Sequence, residues 1–490
     1  MKNRLISVTL ACAVVASVLF AGNGKALAAA PIVEPGSPNS VQMLQQPLDD
    51  IDGIIQQGID DQYMAGSVFL AARNGTIVKK DAYGYAARYL DDDFTEMENP
   101  VVMQTDTIFD LASITKVFTA AAAMQLYEQD KLELDDPVAD YIPEFAQNGK
   151  SDVTIRQLLT HTSGFPAWIP FYKTTDSREE AYQEVFSTAL EHEPGTHYGY
   201  SDLNMITMAA VIEEISGERL DQYVKANITE PLGMTDTMFN PPESLKNRIA
   251  ATEYQPQTDR GMVWGEVHDE NAWAMDGVAG HAGLFSTAED LAVFAQMILN
   301  DGTYQGTRIL ETETVDIMEQ NQLPEFPGNA HSLSWELNQD WYMGDLSGPV
   351  TMGHTGFTGT SIVINPNKET VAILLTNKVH PTREAPSTNP IRRAVAGKTG
   401  AAINAWSAST LKTLVEDLAA DREFSSDRAA HALKVHLDAV SHYEDKGSAE
   451  KVIKHMEGFK NLLEHQQDNM SEDAFETLQT DADYLIGKWR

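Results

Sequence analysis

The sequence predicts an α/β sandwich in which an antiparallel sheet is flanked by helices, a helical subdomain is inserted into it, and an all-α bundle follows at the C-terminus. Three observations carry that expectation. Strand-like apolar runs occur early, at Ser67–Ala72 and Thr76–Val78, and return late, at Ser361–Asn365 and Val371–Thr376. The long stretch between them has helical periodicity. From Ser409 onward helical periodicity is all that remains.

Taken in order, the chain opens with Lys2 and Arg4, an apolar run from Leu5 to Gly22, and Ala26-Leu27-Ala28. That pattern predicts a secretory signal peptide over 1–28, hence an extracellular or cell-wall-associated protein with no stable membrane insertion after cleavage. Cys12 is the only cysteine, so disulfides, a thiol nucleophile and cysteine metal sites are excluded from the processed chain. Residues 29–45, rich in Pro, Ser and Gln, read as a flexible leader. Ile51, Ile54, Ile55 and Ile59 then mark an amphipathic helix opening a domain over 46–395. Asn74-Gly75 predicts a two-residue hairpin turn, and Pro366 to Lys368 a second turn between the late strands. Ala/Gly-rich residues 396–408 read as a linker. Within 409–490 four helices are expected, over 410–420, 426–443, 448–465 and 472–488, with Ser425 and Ser471 as caps. His431, His436, His442, His455 and His465 fall in this module, but Lys and Glu interleave with them and no i, i+4 pair occurs, so they read as solvated faces and no metal is expected.

The chemistry is carried by three short elements. Ser113 and Lys116 stand three apart at a predicted helix start, which puts amine and hydroxyl on one face. The apolar run Val117–Leu126 would desolvate Lys116 and lower its pKa, making it a base for the hydroxyl. Tyr200-Ser201-Asp202 follows a Pro194-Gly195 turn and opens a helical pattern. His354-Thr355-Gly356 precedes the late strand hairpin. A Ser-x-x-Lys match alone is weak, because both residues are common. Three elements in this order form a variant of the signature of penicillin-recognising acyl-transfer enzymes.

With those residues the chain resembles the serine β-lactamase-related family, which includes class C β-lactamases, D-alanyl-D-alanine carboxypeptidases, esterases and peptidoglycan amidases. The resemblance runs from about 50 to 385 and extends to Leu132–Pro137, Thr154–Gly164, Pro231–Thr237 and Gly283–Leu291. It implies acyl transfer through a covalent ester on Ser113, with Lys116 or Tyr200 as the base. It also implies an oxyanion hole from the backbone N–H groups of Ser113 and Phe357, and Asp202, His354, Thr355 and Gly356 as substrate-binding residues. Val267–Asn271 and Gly280–Gly283 resemble a subgroup of secreted muropeptide amidases, where His268 and His281 would line the cleft. The C-terminal module resembles one appended to secreted Bacillus-type enzymes, its partner unknown. No cofactor is implied.

Two departures matter. His354 stands where the family usually has lysine, which removes a permanent cation and weakens the case for an efficient β-lactamase. Asp202 stands where asparagine is usual, and an ionised carboxylate would hold Lys116 as ammonium rather than donate to a substrate. Asn204 could supply the missing donor, but helical geometry turns it to another face. Lys398-Thr399-Gly400 spells the lysine triplet without a strand behind it. The net charge is −37, and −40 once Lys2, Arg4 and Lys25 are removed, so nucleic acid and anionic membranes are excluded as partners. The same field raises the Lys116 pKa, and an alkaline activity optimum is expected. The sequence therefore points to a secreted serine hydrolase acting on peptidoglycan fragments. An N-acetylmuramoyl-L-alanine amidase comes first and a D-alanyl-D-alanine carboxypeptidase second, with an esterase or weak β-lactamase for a small acyl substrate, or a non-catalytic cell-wall-binding protein, as alternatives.

Overall fold

The computed structural model describes residues 30–490, so the expected signal peptide lies outside the described residues. The elements that position the site are β1 (Glu34–Pro35), α1 (Gln45–Asp60), β2 (Gly66–Arg73), β3 (Thr76–Tyr89), β4 (Glu96–Val102), α2 (Thr115–Glu128), α3 (Asp202–Ser216), α4 (Ala288–Leu299), β5 (Glu336–Leu337), β6 (Met352–Thr355), β7 (Ser361–Asn365), β8 (Thr370–Thr376) and α5 (Asn389–Asn404). Strand order in the eight-stranded main sheet is β1-β3-β2-β8-β7-β6-β5, with β4 also paired to β3. All pairings are antiparallel except β1 on β3, which makes the sheet mixed.

The centre of the sheet is buried on both faces, and its residues alternate between two cores. Val68, Leu70, Ile373 and Leu375 face the core that holds α2 and α4, while Phe69, Ala71, Ala372 and Leu374 face the one that holds α1 and α5. Such a strand needs apolar residues at successive positions, which is why these segments read as continuous runs. The turn between β2 and β3 takes φ 48° at Asn74 and 74° at Gly75, the two positive values a hairpin of this length requires. Helix α2 is buried along its whole length from Thr115 to Leu126, so its four alanines serve close packing rather than a solvent face.

Two expected boundaries need correction. Residues 34–44 are not a flexible leader. Glu34 N–H donates to Gly75 O at 2.9 Å, Gly36 N–H to Ile77 O at 3.0 Å, and Met43 is fully buried. The Arg73 guanidinium holds the Val41 carbonyl at 2.6 Å. Backbone pairing needs no hydrophobic periodicity, so composition could not reveal it. Residues 396–404 are likewise not linker but the end of α5. Lys398 pairs with Asp50 of α1 at 2.6 Å, and Gly400 lies so close to Asp345 that a Cβ would meet its backbone at 2.7 Å. Gly400 is there for close approach.

The C-terminal region forms α6 (Ala408–Ala420), α7 (Asp427–Glu444), α8 (Ala449–Gln466) and α9 (Glu472–Trp489) around their own core of Leu433, Leu437, Phe459 and Leu485. Ser471 caps α9 as expected, whereas α7 is capped by Ser426 rather than Ser425, whose N–H donates to Asn469 O. His436 Nε2 lies 2.7 Å from the His455 carbonyl. Helix α9 docks on the preceding domain: Gln42 Nε2 donates to Asp481 Oδ1 at 2.8 Å, and the Arg73 guanidinium lies over the Tyr484 ring.

Asp481 is buried with its second oxygen unpartnered, and burial pushes its carboxyl up to about 6 against the partial relief from Gln42. A folded-state value above the unfolded one gives stability that is complete below about pH 4 and lost as pH rises through 6. The loss is on the order of 2–3 kcal/mol. Thermal unfolding of the full chain should therefore show the C-terminal helices weakening between about pH 4 and 6 and no further change from this group above about pH 7, and Asp481→Asn should remove most of that slope while keeping the Gln42 contact.

Candidate active site

Ser113 sits in a tight 3-10 turn, Ala112–Ile114, between the short strand Phe109–Asp110 and helix α2. The residue before it, Ala112, has φ 47°, a left-handed conformation that costs of order 1–3 kcal/mol for a non-glycine residue and persists only when its surroundings impose it. The surroundings are explicit. Asp110 Oδ1 accepts the Ala112 N–H at 2.8 Å, Thr358 Oγ1 donates to the Asp110 carbonyl at 2.8 Å, and Thr360 Oγ1 donates to the Leu111 carbonyl at 3.1 Å. A Cβ on Gly356 would collide with the Leu111 carbonyl and the Thr360 hydroxyl. The β6–β7 loop thus clamps the serine turn, which explains a glycine after His354-Thr355.

At the start of α2, one turn after Ser113, Lys116 is fully buried. Its Nζ donates to Ser113 Oγ at 2.9 Å and to the His281 carbonyl at 3.2 Å, and forms an ion pair with Asp202 Oδ1 at 2.7 Å. The expected lowering of its pKa does not occur. Burial pushes it down, but Asp202 and Tyr200 together outweigh burial and hold Lys116 above the usual lysine range. Tyr200 packs its ring 4.9 Å from Lys116 Nζ and 4.6 Å from the His161 ring. Burial raises the Tyr200 pKa, and the nearby ammonium only partly offsets this. Asn204, on the other face of α3 as helical geometry requires, binds Ser163 Oγ at 2.5 Å and His161 Nδ1 at 3.0 Å. His161 is buried and carries the backbone behind Tyr200, its Nδ1 accepting the Ser201 N–H.

His354 is buried, with its ring 6.2 Å from Tyr200, and burial with help from Lys116 pushes it down to about 3. It is neutral at working pH. Its Nδ1–H donates to Thr355 O at 2.9 Å, which leaves the Nε2 lone pair buried without a partner. Phe357 is 55 % exposed, and its N–H meets no acceptor among the described residues. The Ser113 N–H lies in the first turn of a helix, where no intrahelical acceptor exists.

Two cavities meet at Ser113, Tyr200 and Phe357. The first, about 540 Å³, is also lined by His354, Thr355, Glu336, Lys378, Asn389 and Arg392. The second, about 420 Å³, is lined by Trp168, Asp202, His268, Asp269, His281 and Arg383. Both sequence-predicted histidines therefore border the cleft, and both are tied into the framework. His268 Nε2 lies 2.8 Å from Glu253, which Arg383 also holds, and the stacked Phe357 ring lies 5.6 Å away. His281 Nε2 lies 3.0 Å from Asp269 Oδ1. Asp202, Asp269 and His281 bring donor atoms within 4.8 Å of one another, and the Lys116 ammonium is the cation that already sits among them. Lys378, Arg383 and Arg392 were not foreseen. They follow β8 or lie on α5, far in sequence from any motif, and a lone cation in such a segment carries no local signal.

Asp202 raises the pKa of Lys116 and also that of Tyr200. A base must be unprotonated, so the rising limb of the pH–rate profile sits high while Asp202 is present. Asp202→Asn should move that limb to lower pH by about one unit or more, measured as kcat/KM on an activated acetyl ester; a limb that stays in place would assign it to another group.

Comparison with known proteins agrees with this arrangement. Residues 51–397 match the β-lactamase family, and residues 408–487 match the FIMAH domain. A protein of Escherichia coli K12 named "Putative D-alanyl-D-alanine carboxypeptidase" is 35% identical over 394 residues, covering 74% of this chain and 89% of its own length. A Salmonella typhi protein of the same name is 35% identical over 395 residues, with the same coverage of each chain. Among solved structures, EstCE1, "a hydrolase with promiscuous acyltransferase activity", superimposes with a TM-score of 0.56 at 25% identity, covering 72% of this chain and 99% of its own. A penicillin-binding protein homologue from Caulobacter crescentus shares the fold, with a TM-score of 0.57 at 20% identity over 74% of this chain and 98% of its own. The chain belongs to the β-lactamase family of serine hydrolases and carries a FIMAH domain at its C-terminal end.

Proposed function

We propose that the protein hydrolyses peptidoglycan-derived peptides as a D-alanyl-D-alanine carboxypeptidase, working outside the cytoplasm through an acyl ester on Ser113. The observation that carries the reading is the first cavity. It borders Ser113 and presents Lys378 and Arg392, the cations a C-terminal carboxylate requires, where neutral His354 offers none. Arg392 is pushed down only to about 10 by burial and remains charged, and its Nε has no partner.

In this mechanism Lys116 is not the proton acceptor, since the ion pair with Asp202 holds it as ammonium and it already donates to Ser113 Oγ and the His281 carbonyl. The Tyr200 phenolate takes the Ser113 proton as Oγ attacks the carbonyl, the N–H groups of Ser113 and Phe357 receive the oxyanion, and Tyr200 returns the proton to the leaving amine. Lys116 stabilises the phenolate by charge, and Lys116 and Tyr200 titrate as a pair. The raised Tyr200 value makes the active fraction grow with pH, which supports an alkaline optimum. A second reading, an N-acetylmuramoyl-L-alanine amidase, is favoured by Val267–Asn271 and Gly280–Gly283, which supply lining residues to the second cavity. The likeness to EstCE1 supports ester hydrolysis by the same serine.

Mass spectrometry of muropeptides and free stem peptides after incubation should show loss of one terminal D-alanine with the wild type and none with a folded Ser113→Ala, whose rate should fall by at least about 10³-fold. Release of intact peptide from the sugar would select the amidase instead. Lys378→Ala should raise KM for peptides ending in a free carboxylate by about tenfold, the worth of one charged hydrogen bond, with a smaller change for a neutral ester. Equal changes for both would remove Lys378 from carboxylate recognition.

A further inference from the structure

Acylation of Ser113 uses neither Asp269 nor the His281 ring, although both line the second cavity beside it. The two side chains form a dyad. His281 Nε2 lies 3.0 Å from Asp269 Oδ1, and a carboxylate only accepts, so Nε2 carries the proton and the neutral ring keeps its lone pair on Nδ1. Burial pushes the Asp269 carboxyl up, but His281 and the Ala272 N–H, 2.7 Å away, hold it well below the usual carboxylate range, so it stays ionised. His281 is 1 % exposed, and its Nδ1 has no hydrogen-bond partner among the described residues. A basic nitrogen buried without a partner is costly, and a catalytic role is one account of it.

Both members are fixed from behind. Asp269 caps the short helix Glu270–Ala274. The His281 carbonyl accepts from Lys116 Nζ at 3.2 Å and the Gly280 carbonyl from Thr119 Oγ1 at 2.8 Å, which pins this loop to α2. A Cβ on Gly280 would lie 2.0 Å from the Met205 carbonyl of α3, so only glycine lets the loop come this close. Backbone and ring are thus held separately, as a base with one working orientation requires. The dyad also lies near the nucleophile. Donor atoms of Asp202, Asp269 and His281 fall within 4.8 Å of one another, and Asp202 pairs with the Lys116 ammonium that donates to Ser113 Oγ.

An acyl ester on Ser113 has to be hydrolysed to complete a turnover, and water attacks an ester slowly unless a base takes its proton. We propose that His281, oriented by Asp269, is the general base that activates the water which hydrolyses this ester. The water oxygen bonds to the acyl carbon as one of its protons passes to Nδ1. The bond from that carbon to Oγ then breaks, the proton on Nδ1 returns to Oγ, and the acid leaves as carboxylate with its remaining proton going to solvent. Acylation does not need the dyad. The assignment rests on the acyl ester of the proposed function, but on no particular peptide.

The full chain is mixed with p-nitrophenyl acetate. The burst of p-nitrophenol gives the acylation rate, and intact-protein mass spectrometry after removal of the ester follows decay of the acetyl adduct on Ser113. His281→Gln keeps a donor for Asp269 but no base, so its adduct should decay at least about 100-fold more slowly while the burst rate stays within about threefold of the wild type. Asp269→Asn keeps a helix cap but removes the charge that orients the ring, and its adduct should decay at least about tenfold more slowly. Decay at the wild-type rate in folded His281→Gln would overturn the assignment and leave Tyr200 as the base for both steps. Acylation slowed as much as decay would reduce the dyad to a structural pair, and decay abolished in the wild type by a chelator would make it part of a metal site; either result also overturns the assignment. Failure of the carboxypeptidase reading would appear separately, as stem peptides left intact by a wild type that still forms and clears the acetyl adduct.

Discussion

A lysine without solvent contact has to be surrounded by acceptors, and the site is built around meeting that demand for Lys116. Its ammonium draws Ser113 Oγ from the 3-10 turn just before its own helix, Asp202 from the start of α3 and the His281 carbonyl from the loop that precedes α4. Three separate segments are thereby fixed to one atom. Leaving any of them out would strand a buried charge, at a cost of several kcal/mol. The aspartate in place of the family's asparagine has its physical account here. It favours the ammonium form of Lys116, which leaves Tyr200 as the proton acceptor in the mechanism we propose.

The serine turn is held from the opposite side by a constraint of shape. Ala112 adopts a backbone conformation that alanine does not choose, and the hydroxyls of Thr358 and Thr360 hold the carbonyls on either side of Leu111 in register with the sheet. Helix, loop and sheet edge meet with no room for a Cβ at Gly356. Ser113 and the loop that carries Phe357 are therefore held against the sheet, as their proposed roles of nucleophile and oxyanion donor require.

What the sequence made legible follows the range of the interactions. Ser113, Lys116, Tyr200 and the His354 triplet were readable because each lies in a short motif whose spacing encodes local geometry, and the strands were readable because burial on both faces leaves a continuous apolar run. The ordered segment from Glu34 to Leu44 was not, since it contributes backbone amides to the carbonyls of Gly75 and Ile77 and a backbone carbonyl to the distant Arg73 guanidinium, groups that every residue of the segment could offer. The lysine pKa was misread for a related reason. Its apolar neighbours in sequence announce desolvation and Asp202 was expected to hold the ammonium, but which of the two wins depends on a contact across 86 positions that only the fold brings to 2.7 Å. Residues 396–404 read as linker because they are a small-residue stretch with no strand behind Lys398-Thr399-Gly400, while in the fold Gly400 answers to the closeness of Asp345.

The strand order carries a consequence for how the chain reaches this state. Strand β2 pairs on one side with its immediate neighbour β3 and on the other with β8, so that Ser67 lies opposite Thr376. The β2–β3 hairpin can close as soon as it is made, but its second edge has no neighbour until some three hundred further residues exist. During synthesis that edge is an open, strongly apolar template, and loop closure over such a span is slow. Anything that keeps the early hairpin from pairing with the wrong edge protects the whole domain. Within the finished fold that protection is permanent, because the strand that arrives last occupies the middle of the sheet.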